Sequence, residues 1–156
     1  MSKFKRVEHV EEMEALAKSG QSTTVVMSQV VHDHYLKKAL AAGLPESKLS
    51  GEEVQNLASK GLKLKGKVYF AVCDCPNCKR VLDSYDFILT GVEEHGLEMV
   101  QTIFNNDEII AQVNPRLTHI TCSNCGTRTP MQPPARGATS SRYFWTMLYA
   151  CVEESD

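Results

Sequence analysis

The chain has 156 residues, 42% of them hydrophobic and 23% charged, with a formal net charge of −2. This ordinary globular balance excludes a disordered tail, a collagen-like chain and a charged linker. The near-zero total also argues against a protein that coats nucleic acid by bulk charge. No apolar run approaches the roughly 20 residues needed to span a bilayer, and the charged opening, residues 1–20, lacks the apolar core of a secretory signal. One domain, or one domain with a small appendage, is expected in an intracellular, cytoplasmic setting with no membrane contact.

In chain order, the first 60 residues read as helical. Glu8–Lys18 places Val10, Met13, Leu16 and Ala17 at helical spacing, with Gly20 as the stop. Ser22 is positioned to cap a second helix running to about Ala42, although the β-branched stretch Thr23–Val31 leaves a strand open. Ser50 and Glu53 have capping-box spacing, which predicts a third helix from Gly51 to Lys60 with Gly61 at its end. The period then changes. Leu62, Leu64, Val68, Phe70 and Val72 alternate with Lys63, Lys65 and Tyr69, which predicts a hairpin turning at Gly66. Further strands are expected at Tyr85–Thr90, Leu97–Phe104, Ile109–Val113 and Leu117–Thr121, with turn chemistry at Asn105-Asn106-Asp107. Residues 127–141, with three prolines, read as an irregular loop. Tyr143–Val152 is apolar on both faces and fits a buried strand or a short helix.

Charge alternates along this order. Residues 57–80 carry Lys60, Lys63, Lys65, Lys67, Lys79 and Arg80 against Asp74, a local +5. Residues 81–115 carry seven acids and no Lys or Arg, and residues 116–152 carry Arg116, Arg128, Arg136 and Arg142 and no acid. Pairing of these blocks across one fold is the plain expectation.

Four of the six cysteines form two C-x-x-C pairs, Cys75/Cys78 and Cys122/Cys125. In a reducing compartment such pairs favour metal or redox chemistry over structural disulfides. Two tight turns that each present two sulfurs suit one tetrahedral zinc ion per chain, Zn2+ held by Cys75, Cys78, Cys122 and Cys125. Asn77 and Asn124 suit the bent backbone, and Gly126 allows a positive φ just after the second pair. Cys73 is a spare that would replace Cys75 if its strand ran further, and otherwise, like Cys151, is a small hydrophobe. His119 reads as a strand histidine near the metal. His32 and His34 would chelate together only if their segment were a strand.

These features resemble the zinc-ribbon class, in which two zinc knuckles at β-hairpin turns share one ion. The resemblance covers the two knuckles, Cys75-Pro76-Asn77-Cys78 and Cys122-Ser123-Asn124-Cys125, and the strands that flank them. The 43 residues between Cys78 and Cys122 exceed a minimal ribbon, so the insert must carry elements of its own. Zinc ribbons commonly serve in transcription and nucleic-acid machinery, which is what the resemblance implies. The rival resemblance is to glutaredoxins. Tyr69–Val72, then Cys75-Pro76-Asn77-Cys78, then Lys79–Leu82 looks like their strand–CPxC–helix opening, with Cys75 as nucleophile and Cys78 as resolving thiol. The second pair has no role in that scheme. Zincin, P-loop and nucleophile-elbow patterns are missing.

The expectation is an α+β protein with a helical N-terminal part, residues 1–61, and a zinc-stapled antiparallel β part, residues 62–156, carrying an acidic insert at 81–115. A non-enzymatic binding or regulatory module is expected, contacting a protein partner in preference to nucleic acid; a redox enzyme and an assembly subunit are the alternatives. Helices two and three with the hairpin suit a winged helix, yet the third helix begins with Glu52-Glu53 and makes a poor groove reader. Surface contacts are expected from Lys60, Lys63, Lys65, Lys67, Lys79 and Arg80, aided by Arg128, Arg136 and Arg142.

Overall fold

A computed structural model describes residues 4–41, 46–63, 68–70, 73–105, 107–113, 119–130 and 138–140. Its elements in order are β1 (Lys5–Val7), α1 (Val10–Ser19), β2 (Thr23–Met27), α2 (Gln29–Ala41), β3 (Glu46–Ser47), α3 (Gly51–Ser59), β4 (Val68–Phe70), β5 (Cys73–Asp74), β6 (Val81–Leu82), α4 (Ser84–His95), α5 (Leu97–Phe104), β7 (Ile109–Val113), β8 (His119–Thr121), β9 (Arg128–Pro130) and β10 (Ala138–Ser140). The protein is α+β, with helices interleaved among small, mostly antiparallel sheets.

Local signals set several of these elements. The Ser50 hydroxyl accepts the Glu53 N–H at 3.1 Å while the Glu53 carboxylate accepts the Ser50 N–H at 3.0 Å, so the capping box that starts α3 is complete. α1 ends at Gly20, and β7 forms where the apolar run Ile109–Val113 predicts a strand.

Elsewhere packing overrides local preference. Thr23–Met27 is a strand, not the start of a helix. It is the centre of the sheet β1-β2-β7, and Val25, Val26 and Met27 are buried there. β2 pairs parallel with β1 (Lys5 opposite Val25) and antiparallel with β7 (Val25 opposite Ala111), so residues from both halves of the chain share one sheet. The expected strands Tyr85–Thr90 and Leu97–Phe104 are the helices α4 and α5. The buried residues of α5, Val100, Ile103 and Phe104, recur at three- and four-residue steps, while α4 is buried almost all round, at Ser84–Ile88, Thr90 and Gly91. β-branched and aromatic content had outvoted that period. α4 carries its own cap, in which Asp83 accepts the Tyr85 N–H and Asp86 accepts the Asp83 N–H, each at 3.0 Å, whereas α5 starts at Gly96 with no side-chain cap.

Among the described residues, the hairpin expected to turn at Gly66 lacks its first arm. Leu62 and Lys63 are not strand, and β4 pairs instead with β3 and β10. That removes the basis for a winged helix. Residues 127–141 are not wholly irregular, since β9 and β10 lie within them. The segment Tyr143–Val152, with Cys151, and residues 64–67 lie outside the described residues.

Two apolar clusters fill the interior. The smaller gathers Val7, Met13, Val25, Val31, Tyr35 and Ala111 between α1, α2 and the three-stranded sheet. The larger packs Leu57, Leu62, Phe87, Ile88, Ile103 and Phe104 with Ile120, and extends to Cys75 and Cys122. The cysteine pairs thus stand at the edge of the main core.

Candidate metal centre

The two C-x-x-C turns have the same backbone. β5 and β6 flank the first, with Asp74 opposite Val81, and β8 and β9 flank the second, with Thr121 opposite Arg128. In the first, the Cys75 N–H donates to the Arg80 carbonyl at 2.8 Å and the Lys79 N–H to the Cys75 carbonyl at 3.0 Å. The second repeats this, Cys122 N–H to Thr127 carbonyl at 2.9 Å and Gly126 N–H to Cys122 carbonyl at 3.0 Å. The residue after the second cysteine is left-handed in both, Lys79 at φ 69° and Gly126 at φ 79°.

The turns face each other. Cys75 Sγ lies 3.6 Å from Cys125 Sγ, and Cys78 Sγ lies 3.6 Å from Cys122 Sγ. All four sulfurs lie within 4.8 Å of one another. A tetrahedral thiolate site with Zn–S bonds of about 2.3 Å has edges of about 3.8 Å. The four expected ligands therefore form a cage of the right size and donor chemistry for a tetrahedral metal ion. In each knuckle the first cysteine is buried, Cys75 at 0% and Cys122 at 2% exposure; of the second cysteines, Cys78 is half-buried and Cys125 exposed.

The asparagines that the two knuckles share act across the site. The Asn124 side chain hydrogen-bonds Cys78 and the Asn77 side chain hydrogen-bonds Cys125, each reaching the opposite turn. The Cys125 thiol is lowered to about 5, first by a hydrogen bond with the Thr127 hydroxyl and then by that with Asn77. Cys78 is lowered by Asn124 and by the Arg80 N–H. Burial pushes the Cys122 thiol up to about 11. Cys125 is poised as a thiolate and Cys78 is shifted in the same direction, whereas the buried Cys122 needs a cation beside it to ionise.

Residues that the sequence reading did not single out hold the knuckles together. Asp86, fully buried on the first turn of α4, accepts the Arg80 guanidinium (Nε at 3.0 Å) and the Ser123 N–H at 2.9 Å. One turn on, the Thr90 hydroxyl accepts the Thr121 N–H at 2.9 Å. One face of α4 thus clamps the second knuckle by backbone and the first through Arg80. Burial raises the Asp86 carboxyl, but the bonds from Arg80, Ser123 and Asp83 outweigh it, and its pKa lies below the ordinary carboxylate value. Asp83 and Asp86 stand at N-cap and N3 spacing, a signal legible once α4 is read as a helix.

Among the basic residues expected to contact a partner, Arg80 is tied inward, with Glu53 at 2.8 Å as well as Asp86. This is one pairing of the basic and acidic blocks across the fold; Arg6 with Glu108 at 2.8 Å is another link to the acidic block. Lys63, Lys79 and Arg128 are exposed, and Lys60 is half-buried at the end of α3. Lys65, Lys67, Arg136 and Arg142 lie outside the described residues. His32 is buried and His34 exposed on helix α2, which separates them as possible chelators. Cys73 occupies β5 opposite Leu82.

His119, on β8, gathers with Glu93 and Glu94 rather than with the cysteines. Arg128 lies 3.3 Å from its Nδ1. The His119 Nε2 is buried without a hydrogen-bond partner, 3.8 Å from a Glu94 carboxylate oxygen.

No curated protein and no solved structure matches the chain. Residues 18–146 match the family described as a domain of unknown function (DUF8243), and the chain belongs to that family.

Proposed function

We propose that this chain is a non-enzymatic, zinc-stapled binding or regulatory module that contacts a protein partner. The observation that carries this reading is the convergence of four thiols from two matching hairpin turns. Four sulfur donors of this geometry suit zinc, which when bound supplies a fixed cross-link and charge neutralisation. They leave no coordination position for a reacting water. Cys75, Cys78, Cys122 and Cys125 would hold the ion, while Asn77, Asn124 and Thr127 share the negative charge of the sulfurs.

Two further observations support the reading over its rivals. Cys75-Pro76-Asn77-Cys78 runs into β6, not into a helix, so Cys75 lacks the helix N-terminus that activates a glutaredoxin-type nucleophile. Arg80 spends its charge on Glu53 and Asp86, which weakens the basic run 57–80 as a phosphate-binding surface.

Metal analysis of reduced, natively purified protein should find about one zinc per chain, with no turnover in a glutathione-coupled disulfide reductase assay. The zinc-loaded protein should retain a protein partner from its native extract after nuclease treatment and release it on chelation. Disulfide reductase turnover that vanishes in Cys75→Ser would replace this reading with the redox one. Tight DNA or RNA binding that survives high salt would replace the protein partner.

A further inference from the structure

The last turn of α4 carries two acids, Glu93 and Glu94, at the end of the helix where the macrodipole disfavours negative charge. They stand three and four residues after Thr90 and so share its side of the helix. The Thr90 hydroxyl accepts the backbone N–H of Thr121 at 2.9 Å, which anchors α4 to β8. From that anchor α4 rises about 6 Å to Glu94, and β8 runs back about 7 Å to His119. The two elements therefore bring an imidazole level with two carboxylates. One ring nitrogen of His119 and one oxygen each from Glu93 and Glu94 lie within 4.8 Å of one another. The His119 side chain is only 12% exposed, and its buried Nε2 has no hydrogen-bond partner, because the Glu94 oxygen at 3.8 Å is too far to accept. Both glutamates are exposed, so their carboxylates can draw in.

We propose that Glu93, Glu94 and His119 form a second divalent-metal site, for zinc or a neighbouring transition ion, that joins the end of α4 to β8. One nitrogen and two carboxylate oxygens suit such an ion, whereas magnesium and calcium take oxygen alone. A tetrahedral site with bonds of about 2.1 Å has edges of about 3.4 Å, so the glutamates close by about an ångström and water completes the shell. The ion gives the buried nitrogen a partner, neutralises two adjacent acids and offsets the helix dipole. One group opposes it. Arg128 lies 3.3 Å from Nδ1. An imidazole that gives its Nε2 lone pair to a metal carries its proton on Nδ1, where a guanidinium finds no acceptor. Arg128 is exposed and can turn to solvent, but its charge makes this site weaker than the four thiols. The two sites share no ligand.

Equilibrium dialysis against added zinc, of protein already carrying its four-cysteine zinc, tests the site. One further zinc should bind per chain, undisturbed by excess magnesium, and should shift the side-chain nitrogen resonance of His119 Nε2. The pair Glu93→Gln and Glu94→Gln, both at exposed positions, and separately His119→Gln, should weaken that binding about tenfold or more, since even an outer partner of a metal is worth that much. The first zinc and the circular dichroism should stay as in the parent. Arg128→Ala should tighten the second binding. The proposal is overturned if no second zinc binds at millimolar concentration, or if the glutamine variants bind it as the parent does. Displacement by excess magnesium would also overturn it and reduce the cluster to a patch of surface acid. So would an Arg128→Ala protein that binds the second zinc more weakly.

Discussion

The carboxylate of Asp86 accepts the backbone N–H of Ser123 at 2.9 Å, 37 residues further along the chain. Ser123 lies inside the second C-x-x-C turn, and the same carboxylate binds Arg80, two residues beyond the first. A single buried acid on α4 therefore sets the spacing between the turns that carry the four thiols. Asp86→Ala would leave Arg80 without one of its two carboxylates and Ser123 without its acceptor. Removing one partner of such a buried pair costs about 3 kcal/mol. Because the knuckles lose their register, metal affinity should fall roughly 10- to 100-fold as well. Urea unfolding of the loaded protein and competition with a calibrated chelator measure the two effects. Unchanged chelator competition would show that Asp86 serves only the helix.

In the matched turns the residue after the second cysteine is Lys79 in one and Gly126 in the other, and both are left-handed. A side chain there costs roughly 1–2 kcal/mol in backbone strain. Lys79→Gly should stabilise the loaded protein by about 1 kcal/mol, net of the extra freedom glycine has when unfolded. Gly126→Ala should destabilise it by about as much through backbone alone, since a Cβ there meets nothing within 4 Å. Opposite signs in paired thermal melts are the expected outcome; a destabilising Lys79→Gly would contradict the equivalence of the turns.

Asp83 predicts a pH dependence. Burial, and then the charges of Glu53 and Asp86, raise its carboxyl from the ordinary 3.8 to about 6. An acid raised on folding binds its proton more tightly in the folded state, so it costs stability as pH climbs from about 4 and costs most above about 6. Asp83→Asn keeps an oxygen to accept the Tyr85 N–H and removes that cost. The gain should be about half as large near pH 5 as at pH 8, where it reaches on the order of 1 kcal/mol after allowance for solvent screening. Urea midpoints of the metal-loaded pair across pH 5–8 check the sign. A difference that shrinks with pH would refute the assignment.

Metal removal should unfold the cysteine-bearing part. The ion joins two turns separated by 43 residues, and binding energy in such sites is largely folding energy, on the order of 10 kcal/mol in zinc peptides. That matches the whole stability of a typical domain, about 5–15 kcal/mol. Chelation should abolish partner binding and spare part of the helical circular dichroism. Cys122→Ser should lose the metal or bind it far more weakly, while Cys73→Ser and Cys151→Ser should keep it. A Cys122→Ser protein that melts like the parent would refute the stapling role.

The four-cysteine cluster was legible in the sequence because the chemistry is local. Each C-x-x-C turn brings its two sulfurs together within four residues, and Asn77, Asn124 and Gly126 suit that bend. The capping box at Ser50 and Glu53 was legible for the same reason, since its hydrogen bonds span three residues. What only the tertiary structure decided is how the two turns meet. Tyr85–Thr90 and Leu97–Phe104 have the composition of strands, but burying Phe87, Ile88, Ile103 and Phe104 in one core selects the helical period. Thr23–Met27 becomes a strand because β1 and β7 supply its hydrogen-bond partners from distant parts of the chain. A helical α4 stacks Asp86 and Thr90, four residues apart, within one turn of each other toward the second knuckle, where a strand would hold them more than twice as far apart. Spacing along the chain names the sulfurs; the hydrogen bonds that hold them opposite one another come from residues that only folding brings near.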